Sequence, residues 1–227
     1  MNYEDLNNEF FLHAVADYYY LMNNNYPEKG SLKLVGDRYK LSGDQRTVIY
    51  RGISSHQKAV DRRKKLTPEI KEKTLVIDGY NVLFTIMNYL LGRFVFISND
   101  GICRDAGSLH GKFREKKVFQ NSIDILSDFF SDNLPEKVVV FLDSPVSQSA
   151  LHKNYILDKF QHSGIKAECN VVRSPDHEIK SVSAGIIATS DTVIIDHTRL
   201  PVIDIPNRIL KEKYKAVLFD LNQITGE

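Results

Sequence analysis

The stretch Thr74-Leu75-Val76-Ile77-Asp78-Gly79 constrains this chain more than any other. A short β-rich apolar run reads as a buried strand. It stops at a carboxylate, a glycine follows, and an apolar segment of helical character begins. A strand ending this way delivers Asp78 to the carboxyl edge of a sheet, where open α/β folds bind ligands. The same pattern fits an aspartate that only terminates a strand or caps the next helix. Two other segments repeat it. Asp143 follows Val138-Val139-Val140-Phe141-Leu142 and precedes Ser144-Pro145, and Asp191 follows Ile186-Ile187-Ala188-Thr189-Ser190.

From Thr74 onward, apolar strand segments alternate with amphipathic helices. The strands are Leu75–Ile77, Phe94–Ile97, Val138–Leu142, Ala167–Val172, Ile186–Thr189 and Val202–Ile205. Phe119, Ile123, Leu126 and Phe130 form one helical stripe, with Asp124 on its polar face, and residues 147–162 form another helix. This alternation predicts a mostly parallel sheet covered on both faces. Before residue 65 the pattern is helical. Leu6, Phe10, Ala14, Tyr18 and Leu21 share a face, and Pro27 stops that helix. Ser31 is placed to cap a second helix, and Ser42 with Gln45 reads as a capping box for a third ending near Gly52. The last two, joined by Leu41-Ser42-Gly43, resemble a helix-turn-helix. The expected division is a small helical domain over residues 1–65 and an α/β domain over 74–227.

The formal net charge is +1, but its distribution along the chain is uneven. Residues 1–28 hold five acids and no Lys or Arg; residues 29–65 hold eleven Lys or Arg against three acids. That block is either a phosphate-backbone footprint or a solvated linker. No run of 18 apolar residues exists, the first residues are polar and acidic, and Cys103 and Cys169 lack metal-ligand spacing. The expectation is a cytoplasmic chain with free thiols and no membrane partner.

If the strands bearing Asp78, Asp143 and Asp191 are parallel neighbours, their carboxylates converge. Like charges at close range do not all stay ionised without a counter-charge. A hard divalent cation, Mg²⁺ or Mn²⁺, resolves this through oxygen ligands. No Cys/His cluster competes for zinc, and neither a P-loop nor a Gly-x-Gly-x-x-Gly fingerprint is present. Residues Phe94–Arg104 read as a hairpin around Asp100-Gly101. The loop that follows carries Asp105, His110, Lys112 and Arg114.

Val76-Ile77-Asp78-Gly79-Tyr80-Asn81-Val82 resembles the opening motif of the PIN-like nucleases, especially their NYN branch. The Val-Val-Val-Phe-Leu-Asp143 and Ala-Thr-Ser-Asp191 segments resemble later strand-end acids of that superfamily. The resemblance implies a PIN-like three-layer α/β domain with Asp78, Asp143 and Asp191 as metal ligands and catalytic residues. It implies an orienting or substrate-contacting role for Asn81. Across nearly the whole chain, Leu32–Tyr39, the Asp100-Gly101…Arg104-Asp105…His110-Gly111…Arg114 loop and Asp143-Ser144-Pro145-Val146-Ser147 resemble a prokaryotic family of domains of unknown function. Its members join a small helical domain to a PIN-like domain. One departure stands out: PIN-like nucleases place another acid on a helix between the first and middle strands, where this chain has the hairpin and loop. Asp105 is the candidate substitute.

The expected function is therefore a divalent-metal-dependent ribonuclease or other phosphodiesterase. Asp78, Asp143, Asp191 and Asp105 would hold Mg²⁺ or Mn²⁺. Arg104, His110, Lys112 and Arg114, with Asn81, would contact a nucleic acid, with RNA the expected partner. The alternative is a non-catalytic nucleic-acid-binding or interaction protein that works through the helical domain. A third reading makes the strand-end acids helix caps on a scaffold.

Overall fold

The computed structural model describes residues 3–107 and 115–226. In chain order the elements begin with α1 (Tyr3–Leu6), α2 (Glu9–Asn23), α3 (Glu28–Arg38), α4 (Gly43–Gly52) and α5 (His56–Arg63). Then come β1 (Thr74–Asp78), α6 (Gly79–Leu90), β2 (Val95–Ile97), β3 (Cys103–Asp105), α7 (Lys116–Asn133), β4 (Lys137–Asp143) and α8 (Ser149–His162). The chain continues with β5 (Ala167–Val172), α9 (Pro175–Lys180), β6 (Ile186–Ala188), α10 (Thr192–His197), β7 (Val202–Ile203) and α11 (Ile205–Tyr214). It closes with β8 (Phe219–Asp220) and α12 (Asn222–Thr225). These elements fall into two compact units: the described residues of 1–64, 92–107 and 217–227, and those of 65–91 and 108–216.

The first unit is mostly helical. Ser42 and Gln45 form the expected capping box at the start of α4, with the Gln45 N–H donating to the Ser42 hydroxyl at 3.2 Å and the Ser42 N–H to the Gln45 side chain at 2.9 Å. The helix before it starts earlier than the sequence suggests. α3 begins at Glu28, directly after Pro27, and Ser31 lies buried inside it with its N–H bonded to the Pro27 carbonyl. Proline, lacking an N–H, suits a helix start, so it both stops α2 and opens α3. Phe11, Val15, Tyr18 and Met22 line the buried face of α2. They pack with Val35, Val48 and Ile49 and with Phe96, Phe219 and Leu221.

Those last three residues explain a difference from the expected domain limits. The hairpin and the C-terminal strand are not part of the α/β unit. β2 pairs antiparallel with β3 and parallel with β8, and this small sheet completes the helical core. The Asp100-Gly101 turn is present, with Gly101 at φ +82°. Asp100 is fully buried and accepts hydrogen bonds from Arg104 at 2.8 Å, Arg62 of α5 at 3.1 Å and Ser98 at 2.5 Å. Burial alone would raise its pKa; the Arg104 and Arg62 charges and these bonds hold it well below the usual carboxylate range.

The basic block looks different in three dimensions. Lys33 and Arg46 pair with Asp37, Arg38 with Asp17, Arg51 with Asp105, Lys58 with Glu28, Arg62 with Asp100 and Lys64 with Asp61. Taken over its three chain segments, the unit holds twelve Lys or Arg against twelve Asp or Glu.

The second unit is the α/β domain. Among the described residues its sheet has five strands in the order β5-β4-β1-β6-β7, all parallel. Leu75 and Ile77 of β1, with Val138, Val140 and Leu142 of β4, face a core built by α6, α7, α8 and α11. Val76 and Ile187 face the opposite side, where they meet Ile179 of α9 and Ile194 of α10. This two-sided burial is what a parallel sheet requires. Strand alternation puts the Asp78, Asp143 and Thr189 side chains on the α9/α10 side. No helix among the described residues is long and apolar enough to cross a membrane.

Removing the buried Asp100 carboxylate leaves two guanidinium groups without their shared counter-charge. Asp100→Ala is expected to destabilise the chain by about 3–5 kcal/mol, read as a lower urea midpoint.

Candidate functional site

Strand β1 lies between β4 and β6, and the chain leaves it towards one neighbour and comes back later to the other. A crevice at the carboxyl edge of such a strand is where α/β sheets bind ligands. Asp78 ends β1 there and is 6% exposed. Register places Asp78 opposite Phe141, so Asp143 stands two residues further along β4. On the other side Ile77 is level with Ala188, which puts Thr189 beside Asp78. The Thr189 hydroxyl donates to Asp78 Oδ2 at 3.0 Å and accepts the Asp191 N–H at 3.0 Å.

Two local features hold this edge in place. Gly79 opens α6 so close to β4 that a Cβ there would sit 2.6 Å from Leu142, 2.8 Å from Val140 and 2.9 Å from the Phe141 carbonyl. Glycine is therefore required for β1 to turn directly into a helix against its neighbour. One turn on, Asn81 Oδ1 accepts the Ser190 N–H at 2.8 Å and its hydroxyl at 3.0 Å. Asn81 therefore holds the segment that follows β6.

The site contains a fourth acid that the sequence reading passed over. Asp176 lies in the first turn of α9, behind the capping residue Ser174 and Pro175. Helix α9 packs on β1 and β4 and against α10. A Ser-Pro-Asp start directly after a strand is a helix signal, but the helix has only six residues and leaves little periodicity to detect. It is also an acid on a helix, placed between β5 and β6 rather than between the first and middle strands.

Electrostatics tie the four acids together. Burial lifts the Asp78 carboxyl to about 7, against the pull of the Thr189 hydrogen bond; the charges of Asp191, Asp143 and Asp176 add to the rise. Asp143 is raised by burial and by Asp176; Asp176 is raised by burial and by Asp191, with Lys180 opposing. Asp191 also caps α10, its Oδ1 accepting the Val193 N–H at 2.7 Å. The capping reading of Asp191 therefore holds.

In the core on the other face of the sheet, the Tyr80 hydroxyl meets His152 Nδ1 at 2.9 Å in a buried contact beside Phe119. Burial raises the Tyr80 pKa and lowers that of His152, so the pair is held neutral.

Two of the remaining predicted residues belong to the helical unit. Asp105 ends β3 in the helical unit, where it pairs with Arg51 at 3.3 Å and accepts the Gly107 N–H at 3.0 Å. Arg104, 3% exposed in the same unit, is engaged with Asp100 and Ser98. Both side chains are thus engaged within the helical unit, because the hairpin folds with the helices. His110, Lys112 and Arg114 lie outside the described residues.

Among the described residues, no three His, Cys, Asp or Glu side chains form a ready-made metal cage. Carboxylates are the donor type that Mg²⁺ or Mn²⁺ would take. Mg²⁺ keeps several waters and is commonly held by only one or two carboxylates.

These features define a parallel α/β domain with an acidic carboxyl edge, preceded by helices. The chain belongs to the family described as "Domain of unknown function (DUF5616)", whose model matches residues 67–208. Residues 10–65 match a second, "Protein of unknown function (DUF434)". The chain is similar to "Uncharacterized protein MJ0935" of Methanocaldococcus jannaschii, 32% identical over 184 residues that cover 80% of this chain and 87% of the relative. No solved structure matches it.

The raised Asp78 pKa has a stability consequence. Between its ordinary value of 3.8 and about 7, native Asp78 keeps a proton that the unfolded chain releases. The group therefore contributes stability at low pH that is lost as pH rises through 7. Asp78→Asn is expected to raise stability by about 1–3 kcal/mol near pH 8 and by much less near pH 4. Urea denaturation of both proteins at the two pH values checks this.

Proposed function

We propose that this chain is a divalent-metal-dependent phosphodiesterase of the PIN-like type that acts on nucleic acid, with RNA as the favoured substrate. The observation that carries this reading is the buried Asp78 carboxyl at the sheet's carboxyl edge, with Asp143 on the same side of the sheet, Asp191 joined to Asp78 through Thr189, and the charges of Asp191, Asp143 and Asp176 all reaching it. Like-charged carboxylates are costly to hold together. Such arrangements cluster at functional sites.

Asp78 and Asp191 flank the Thr189 hydroxyl and would hold the ion from the β1 and β6 sides. Asp143 and Asp176, both half-buried, would complete its surroundings through water. Bound there, Mg²⁺ or Mn²⁺ supplies Lewis-acid polarisation of the phosphodiester and activates the attacking water. The chain's own contribution is positioning: Thr189 aims Asp78, Asn81 clamps Ser190, and the α10 N-terminus fixes Asp191.

The non-catalytic reading through the helical unit draws less support. Packing of α3 against α4 favours it, but most cations of the basic block are engaged by acids within that unit.

The test is a panel of RNA and DNA substrates with Mg²⁺ or Mn²⁺. Wild type is expected to cut, and Asp78→Asn to be slower by about a hundredfold or more, as for loss of a key electrostatic group. Asp176→Asn should also be impaired. Cutting by Asp78→Asn at the wild-type rate would sink the proposal.

A further inference from the structure

On the metal-dependent reading, the four carboxylates and the ion they would hold leave one requirement open: something must hold the non-bridging oxygens of a phosphodiester beside them. The cations expected to do this from sequence either lie outside the described residues or, like Arg104, are buried against Asp100.

Within the α/β unit, most cations with a visible partner are held by acids elsewhere. Lys137 pairs with Glu168, Lys159 with Asp124, Arg208 with Glu212 and Lys213 with Asp128. Several others, Lys153, Arg173, Arg199 and Lys180 among them, have no acid partner among the described residues, and Lys180 is the one lysine on α9. It is half-buried and makes no salt bridge or side-chain hydrogen bond with any described residue. It stands on α9 four residues after Asp176, on the same helical face. Helical side chains lean towards the helix N-terminus, so its stem points back towards the turn that carries Asp176. Helix α9 in turn packs on β1, β4 and α10, the elements that carry or adjoin Asp78, Asp143 and Asp191. The charge of Lys180 reaches the cluster, since it lowers the pKa of Asp176 against burial and the Asp191 charge.

We propose that Lys180 is the phosphate-contacting cation of this site, its uncommitted ammonium one helical turn from Asp176 binding a non-bridging oxygen of the phosphodiester. This rests on the metal-dependent phosphodiesterase reading. A point-like ammonium on a flexible stem suits such a contact, because it neutralises charge without demanding a fixed fork geometry. It also accounts for why Lys180 forms no ion pair with Asp176. The acid is directed to the ion and the base to the substrate.

The role makes two opposite predictions for one substitution. In the full-length chain, Lys180→Met removes a positive charge beside the carboxylates, so Mg²⁺ alone, titrated by calorimetry, is expected to bind a few-fold more tightly. The same variant should bind a mixed-sequence single-stranded RNA oligonucleotide about tenfold more weakly, with Ca²⁺ replacing Mg²⁺ to suppress cutting. Its affinity should also fall less steeply with salt, by about one unit of log–log slope. Lys180→Arg should restore oligonucleotide binding, and Lys180→Gln repeats the test if the Met variant is unstable.

A wild type that binds Mg²⁺ and cuts RNA while Lys180→Met keeps full oligonucleotide affinity overturns Lys180 and leaves the carboxylate reading standing. Weaker binding of both Mg²⁺ and oligonucleotide by a folded Lys180→Met also overturns it, since that marks a structural role. A wild type that binds neither sinks both readings.

Discussion

Placing one carboxylate, Asp78, at the buried end of the central strand is the constraint around which the α/β unit is arranged. A carboxyl group that is 6% exposed and feels the charges of other acids is pushed towards its neutral form, and the fold has to fix it where it sits. Three devices do this. β1 is bonded on both sides in parallel register, Gly79 lets the next helix start without stepping away from β4, and the Thr189 hydroxyl donates to the carboxylate from β6. None of these is needed to end a strand. A strand can stop at an aspartate by turning it into solvent, as Asp143 partly does.

Burial of Asp78 also explains the character of its neighbours. The apolar side chains of β1 serve two cores in alternation, so the residue after Ile77 must point towards α9 and α10. These are the short helices of the unit, and each meets the edge with an acid in or beside its first turn, Asp176 and Asp191. Acids near a helix N-terminus are favoured by the backbone N–H groups there. The same local preference that stabilises each helix start brings its charge to the crevice. Asp191 shows both sides at once, with one oxygen bound to the Val193 N–H and its charge felt by Asp78.

Much of this was legible in the residues themselves. The strand-end pattern at Asp78, Asp143 and Asp191 carries a period and a boundary, and the parallel alternation of strands and helices follows from it. The Ser42–Gln45 capping box is a short-range signal and formed as read. Features that depend on distant partners were less visible. The hairpin looked like an insertion in the α/β domain, yet Phe96 packs with Phe219 and Leu221, and nothing local in Val95–Ile97 says which core will receive it. Asp105 and Arg104 went with it. Asp176 was missed because a six-residue helix gives no stripe to count, and Ser31 was misplaced because Pro27 opens a helix as readily as it closes one.

The basic block shows how linear charge misleads in general. Eleven cations between residues 29 and 65 invite a footprint on a polyanion. Folding supplies their partners from before, within and after that block: Asp17 and Glu28 ahead of it, Asp37 and Asp61 inside it, Asp100 and Asp105 from the hairpin. The exposed pairs among these contribute little stability, but they do set the field a partner would meet. In the α/β unit the relation is reversed. The sequence there is nearly balanced, with eighteen Lys or Arg against seventeen Asp or Glu, yet Asp78 is buried where the charges of Asp191, Asp143 and Asp176 all reach it. Charge separation that survives folding has to be held against its own repulsion, so it is a stronger sign of a site than charge that is only clustered along the chain.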